Sequence, residues 1–271
     1  MFPDLRGGTM PDALPFEVTA YGPEGHSPLA IEAIRETPLT ICLNGREVVT
    51  LLCTARHPRL LAVGFLKSDG LLDSPEQLAD LDIADDGARI TAHVTVRHDP
   101  WAGGRDIRRS ITSGCGKGTS FDHNVENASR RRIPAGLRIT PAQILALAAE
   151  LKARSTLYGR TRGCHNASLC IPSEMLIFRE DIGRHNAIDM LAGECFLEGI
   201  GTADKLIVST GRVASEILLK CVRMGVPALV STAVATSFSV DLARRIGLTL
   251  IGNVTADGFW IYNDPGRIVA D

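Results

Sequence analysis

From Thr140 onward the chain alternates between helix-length amphipathic stretches and short apolar runs of strand length. No other feature limits the fold so strongly. Thr140-Pro141 opens a helix through Ala153, with Ile144, Leu145, Leu147, Ala148 and Leu151 on one face. Further helices are expected at Arg184 to Leu197, Ala214 to Met224 and Phe238 to Ile246. Strands are expected at Glu174 to Glu180, Lys205 to Thr210, Pro227 to Thr232, Leu248 to Asn253 and Phe259 to Asn263. Repeated βα units indicate a sheet containing parallel strands, flanked by helices. Ligands of such sheets bind beyond the carboxyl ends of the strands. Three ends are polar here. Met175–Phe178 runs into Arg179 to Asn186, Leu206–Ser209 into Thr210-Gly211-Arg212, and Ala228–Ser231 into Thr232 to Ser237. Each sets hydroxyls, glycines or charges before a helix N-terminus, where an anion can be held. Together on one sheet edge they would form a polar pocket.

The first hundred residues have a different pattern. Pro38 to Leu43 alternates and ends at Asn44-Gly45, a favoured two-residue hairpin turn, and Val48 to Cys53 returns as the partner strand. Pro58 to Leu72 has a helical apolar face, Ser74-Pro75-Glu76 caps a short helix to Leu81, and Ile90, Ala92, Val94 and Val96 alternate as a half-buried strand. The expected organisation is a tail over 1–29, a small β-rich domain over 30–100, a loop and linker over 101–139, and an α/β domain over 140–271.

The linker carries Ile111-Thr-Ser-Gly-Cys-Gly-Lys-Gly-Thr119, which sets Cys115 between two glycines and beside Lys117. Arg105, Arg108, Arg109 and Arg130 to Arg132 surround it in sequence. Nearby cations favour the nucleophilic thiolate, and glycines free the backbone of an exposed loop. The segment reads either as a mobile arm that carries a group on sulfur or as a surface loop with an incidental thiol. The other cysteines are Cys42, Cys53, Cys164, Cys170, Cys195 and Cys221. An odd count at scattered spacing is no secreted disulfide framework, and no Cys-x-x-Cys is present. Cys42, Cys53, Cys195 and Cys221 sit in apolar runs and read as core residues.

A net charge of −2 argues against bulk nucleic-acid or anionic-membrane binding. No apolar run reaches membrane-spanning length, and the first fifteen residues lack the pattern of a signal peptide, so a cytoplasmic protein is expected.

Glu180-Asp-Ile-Gly-Arg-His-Asn186 is the densest polar cluster. Arg184 offers a planar fork for phosphate or another oxo-anion. Asp181 is also placed to cap the following helix, with Glu180 and Arg184 paired across its first turn. Ser209-Thr-Gly-Arg212 is either a phosphate loop or an ordinary strand-to-helix turn. His165, in Gly163-Cys-His-Asn-Ala167, is either a ligand contact or a buried hydrogen-bonding residue. Cys164, His165 and Cys170 lack a second ligand pair for a metal. The His-x-Glu and Pro-Cys-x-x-Cys of zinc deaminases are absent, as are Walker and dinucleotide fingerprints.

A series of stretches resembles the formate dehydrogenase accessory sulfurtransferases, FdhD. It comprises Glu36 to Gly45, Val63 to Leu72, Thr112 to Gly118, Gly163 to Ala167, Glu180-Asp-Ile-Gly-Arg-His-Asn-Ala-Ile-Asp189, Ser209 to Arg212 and Gly252 to Tyr262. The resemblance implies a cytidine-deaminase-like C-terminal α/β domain without zinc or any metal of its own, and a homodimer. It implies a persulfide on Cys115, received from a cysteine desulfurase. That sulfur would pass to the molybdenum or tungsten of bis-molybdopterin guanine dinucleotide, on behalf of formate dehydrogenase. The cofactor would lie against Asn253, Val254, Thr255, Ala256, Asp257 and Gly258, with Arg184, His185, Asn186, Ser209, Gly211, Arg212, Ser231 and His165. Two features depart from the family pattern. The loop has one cysteine where many members have a Cys-x-x-Cys, and Asn253 to Gly258 has no arginine and carries Asp257. Two other readings are a cofactor-holding chaperone in which Cys115 carries nothing, and a nucleotide hydrolase or deaminase on the same fold.

Overall fold

The computed structural model describes residues 11–98 and 131–270. Cys115 and the rest of its loop lie outside the described residues. The class is α/β, as expected, with helices flanking mixed sheets.

The N-terminal part contains a four-stranded sheet ordered β4-β3-β6-β5. Its strands are β3 (Thr37–Leu43), β4 (Arg46–Cys53), β5 (Leu78–Asp85) and β6 (Ile90–Val96). Asn44 and Gly45 turn the β3–β4 hairpin with φ of 47° and 77°, the left-handed pair that an Asn-Gly turn adopts at low cost. Helix α1 (Pro58–Asp69) starts on a proline and stops at left-handed Gly70, whose N–H returns to the Leu66 and Lys67 carbonyls.

Two expectations need correction here. The helix expected to run to Leu81 is a single turn over Pro75–Gln77, followed by β5. Leu78 and Leu81 are buried there against β6, and that pairing overrides the local helical signal. The expected tail over 1–29 contains most of an antiparallel hairpin, β1 (Ala13–Gly22) with β2 (Gly25–Ile34). It is held by Arg160, which donates to Glu32 at 2.7 and 2.6 Å.

The C-terminal part is a six-stranded sheet ordered β12-β11-β10-β9-β7-β8. It comprises β7 (His165–Ile171), β8 (Glu174–Asp181), β9 (Leu206–Ser209), β10 (Ala228–Ser231), β11 (Thr249–Gly252) and β12 (Trp260–Asn263). Strands β9, β10 and β11 are parallel, and β7 runs against both β8 and β9. One face is covered by α2 (Pro141–Arg154), whose Ile144, Leu147 and Leu151 meet Val208, Val230 and Ile251. The opposite face is covered by α4 (Arg184–Glu198), α5 (Ser215–Met224) and α6 (Ser237–Ile246), with α3 (Thr156–Thr161) as a short link after α2. Among the described residues no helix is long and apolar enough to cross a membrane.

Helix α4 belongs to both parts. One side covers the large sheet through Ala187, Ile188 and Leu191, and the other gives Met190 and Phe196 to the core of the small sheet. It crosses α1 at backbone distance. A Cβ on Gly64 would overlap the Asp189 carbonyl, and one on Gly193 would overlap the Leu60 carbonyl. The same crossing buries Asp189, which accepts from Lys220 Nζ at 2.6 and 2.7 Å. Removing one partner of such a pair leaves an uncompensated charge inside.

Gly64→Ala and Gly193→Ala should each lower unfolding stability by about 3 kcal/mol or more, because packed backbone must move apart. Gly201→Ala, with open space around the added carbon, should stay within about 0.5 kcal/mol of the parent. Urea melts of the three variants check this.

Candidate functional site

The strand directions bring the polar ends onto one edge. Ser231 of β10 pairs with Ser209 of β9, Ala167 of β7 with Ser209, and His165 at the start of β7 with Asp181 at the end of β8. Gly252 ends β11 on the same side, and Asn253 follows it with φ of 52°.

Hydrogen bonds fix the rim that joins these ends. Ser231 Oγ donates to the Gly211 carbonyl at 2.7 Å, and the Gly211 N–H donates to Ser209 Oγ at 3.2 Å. Val213 and Ala235 form a parallel bridge between the loops after β9 and β10, and the Asn253 N–H reaches the Ala233 carbonyl at 2.9 Å. Thr210 locks the β7 side: its Oγ1 accepts from the Asn166 N–H at 2.9 Å, and its N–H donates to the Asn166 carbonyl at 3.0 Å. Ser209 and Ser231 are therefore buried struts of the rim, with Gly211 buried against them and Thr210, Thr232 and Ala233 half-buried.

Helices α4, α5 and α6 all begin at this edge, with Gly183, Ala214 and Thr236 as N-caps. None of the three has a side-chain cap hydrogen bond. Uncapped first-turn N–H groups carry the positive end of the helix dipole. Arg184 lies among them. A Cβ on Gly211 would strike its stem, so the glycine makes room for that side chain. Arg184 Nε is buried and has no hydrogen-bond partner. A buried, unpaired guanidinium nitrogen is costly and is relieved by an anion. These donors fit phosphate groups.

Two histidines share this environment. Burial lowers the pKa of His185 to about 3, and the charges of Lys220 and Arg184 add to the effect. His165 is lowered by burial and then by Arg184. His185 Nε2 stands 3.6 Å from Glu216 Oε2. That geometry would be an ion pair only for a protonated ring, and a neutral imidazole makes it a loose polar contact.

Four residues of the expected polar site serve elsewhere. The Asn186 amide donates to the Leu52 carbonyl at 2.8 Å and to Asp181 Oδ1 at 2.7 Å, so its side chain ties the two sheets together rather than facing a ligand. Asp181 does not cap the first turn of α4 as expected; it accepts from the Gly183 N–H at 3.1 Å, the Thr54 N–H at 2.9 Å and Thr54 Oγ1 at 3.0 Å. The expected pairing of Glu180 with Arg184 is replaced by one with Arg56, at 2.6 Å. Val254 is buried in the core beneath the sheet, leaving only its backbone near the edge. Thr255, Ala256 and Asp257 are exposed in a turn closed by the Thr255 N–H and the Gly258 carbonyl at 2.8 Å. Arg212 is exposed beside Gly211. The sequence places Thr210 in a candidate phosphate loop and Tyr262 at the end of a matching stretch, but it does not show that Thr210 locks β7 or that Tyr262 braces the loop after β10. Tyr262 packs against Gly252 and accepts from the Ala235 N–H at 3.3 Å. A glycine ending a strand was the available signal, because it marks a close approach.

The six described cysteines are poor nucleophiles. Burial raises Cys53, Cys164 and Cys221 to about 12 and Cys170 and Cys195 to about 11, and it also raises half-buried Cys42.

The family model described as FdhD/NarQ matches residues 34–269. A sulfur carrier protein FdhD of Bacillus subtilis is 37% identical over 236 residues, which cover 87% of this chain and 89% of the relative. Its namesake in Geobacillus kaustophilus is 38% identical over 243 residues, covering 88% and 90%. In three dimensions the chain is similar to a crystal structure of a candidate formate dehydrogenase accessory protein from Desulfotalea psychrophila. The TM-score is 0.77 at 23% identity, covering 96% of this chain and all of the other.

The buried His185 makes stability pH-dependent. Below pH 6.5 the unfolded chain binds a proton that the folded ring refuses until about pH 3. Stability therefore falls with pH across that window, by at most about 1.4 kcal/mol per pH unit from this group. Carboxylates raised by burial, such as Glu180, act with the opposite sign but are common to parent and variant. Urea midpoints measured from pH 6.5 down to 4.5 should fall less steeply in His185→Gln than in the parent.

Proposed function

The chain belongs to the FdhD/NarQ family, and from that premise we propose that it is a sulfurtransferase working through a persulfide on Cys115. The thiolate attacks the outer sulfur of a cysteine desulfurase persulfide. The donor S–S bond breaks, the donor cysteine leaves as thiolate, and Cys115 holds the transferred sulfur. The acceptor is the metal, molybdenum or tungsten, of bis-molybdopterin guanine dinucleotide, bound as substrate and destined for a formate dehydrogenase.

The observation that carries this reading is the state of the other thiols. All six described cysteines have pKa values raised by burial. A sulfur carrier needs an accessible thiolate, which leaves Cys115 as the residue for the task. The substrate's phosphates suit the strand-end edge, where Arg184 Nε lacks a partner and three helices start uncapped. There the backbone of Thr210 to Arg212 and of Asn253 to Gly258 would follow the dinucleotide, without an arginine in the latter segment. The exposed apolar face of the hairpin, including Phe16 and Ile31, is compatible with a homodimer. The reaction would take place in the cytoplasm, with the desulfurase and the client enzyme as partners.

Intact mass after incubation with a cysteine desulfurase and cysteine tests the carrier. The parent should gain one reducible sulfur atom and Cys115→Ala should gain none. An equal gain in both would move the role to another cysteine. No gain in either, with an active desulfurase, would favour the cofactor-holding chaperone. For the pocket, Arg184→Ala should weaken binding of guanosine diphosphate at least about tenfold, the scale of one lost charge-assisted hydrogen bond.

A further inference from the structure

The sheet edge opposite the strand-end site carries a second concentration of positive charge. A cleft of about 400 Å³ opens where α6 ends and β11 begins, lined by Arg131, Arg132, Arg138, Arg245 and Arg267. Its walls include Gly247 and Gly266, at φ of 73° and 95°. An added Cβ on either would meet nothing within 4 Å, so these two positions leave the cleft open.

Arg267 forms a rigid floor. Its guanidinium donates to the Pro134 carbonyl at 3.2 and 2.7 Å, to the Gly247 carbonyl at 2.9 Å and to Thr249 Oγ1 at 3.2 Å. Arg267 is only 5% exposed, whereas Arg131, Arg132, Arg138 and Arg245 are exposed around it. Among the described residues, Arg131 and Arg138 donate to backbone carbonyls, at Arg223 and at Ala135 and Leu137. No described carboxylate forms an ion pair with any of these four. A basic residue in the last turn of α6 complements the helix dipole, which accounts for Arg245. It does not account for three arginines brought to the same cleft from 131–138.

We infer that this cleft is a second anion site, taking a phosphorylated small molecule of nucleotide size. Guanidinium groups recognise phosphate through paired N–H donors, and the volume lies in the range of small-molecule sites, roughly 300–1,000 Å³. Residues 131–138 connect the Cys115 segment to the sheet. A ligand here would therefore fix the root of that segment from the side away from the strand-end site. The inference does not rest on the sulfur-transfer reading.

Inorganic pyrophosphate is the probe, titrated calorimetrically into the full chain. It also suits the strand-end edge, so the titration is done in an Arg184→Ala background. Binding should persist there with a submillimolar Kd and weaken at least about tenfold when Arg132→Ala and Arg245→Ala are added. Removing two exposed arginines elsewhere, Arg89→Ala with Arg154→Ala, should leave it within about twofold. The inference is overturned if Arg184→Ala alone abolishes binding or if the cleft pair changes nothing. It is overturned equally if both pairs weaken binding alike, since bulk charge would then explain the affinity. Thermal melts of each variant establish that the chain remains folded.

Discussion

The crossing of α1 and α4 at Gly64 and Gly193 is the contact on which the rest of the structure depends. Two helices without side chains at the crossing approach until backbone meets backbone, and the dispersion gain is large because little volume is left empty. The close approach lets α4 cover two cores at once, and it places Asp189 where Lys220 reaches it from α5. Because α4 begins at Gly183, this crossing also fixes the position of Arg184. The packing of the small sheet is thus transmitted to the strand-end edge through one rigid helix.

Polar groups at that edge divide into fasteners and free donors. Asp181, Asn186, Thr54, Ser209, Ser231 and Thr210 spend their hydrogen bonds on the protein itself. Arg184 and the first turns of three helices retain donors. The division follows from burial: a buried hydroxyl or amide must find an internal partner, and once it has one it is unavailable to a ligand. The preorganised cradle is therefore mostly backbone, held from below by side chains.

Much of this was legible in the sequence. The Asn44-Gly45 turn, the α1 start, the α2 boundaries and the run of parallel strands each rest on a local signal that the tertiary structure agrees with, whereas α1 stops at left-handed Gly70, short of the expected Leu72. Strand β7 was hidden because Asn166 and Ser168, polar residues inside a buried strand, break the apolar run; their partners are Ser155 and the Val208 carbonyl. The first hairpin was hidden because its strands are largely exposed and follow a proline-containing start. The density of polar residues around Asp181 was visible, but not their direction. Asn186 and Arg184 are two residues apart on a helix, so they point to different sides, one to Leu52 and the other to Gly211.

The shared helix also sets an order of events during synthesis. The small sheet and α1 leave the ribosome with the Gly64 surface uncovered, and its cover begins only at Arg184. More than a hundred residues, including the whole Cys115 segment, must be made before the first core can close. Chains interrupted in that interval expose an apolar helix face and an unfinished core, the state most open to aggregation and to capture by holding factors. The N-terminal part is therefore early in the chain but late in completion, and its folding is timed by the half of the protein that holds the strand-end site.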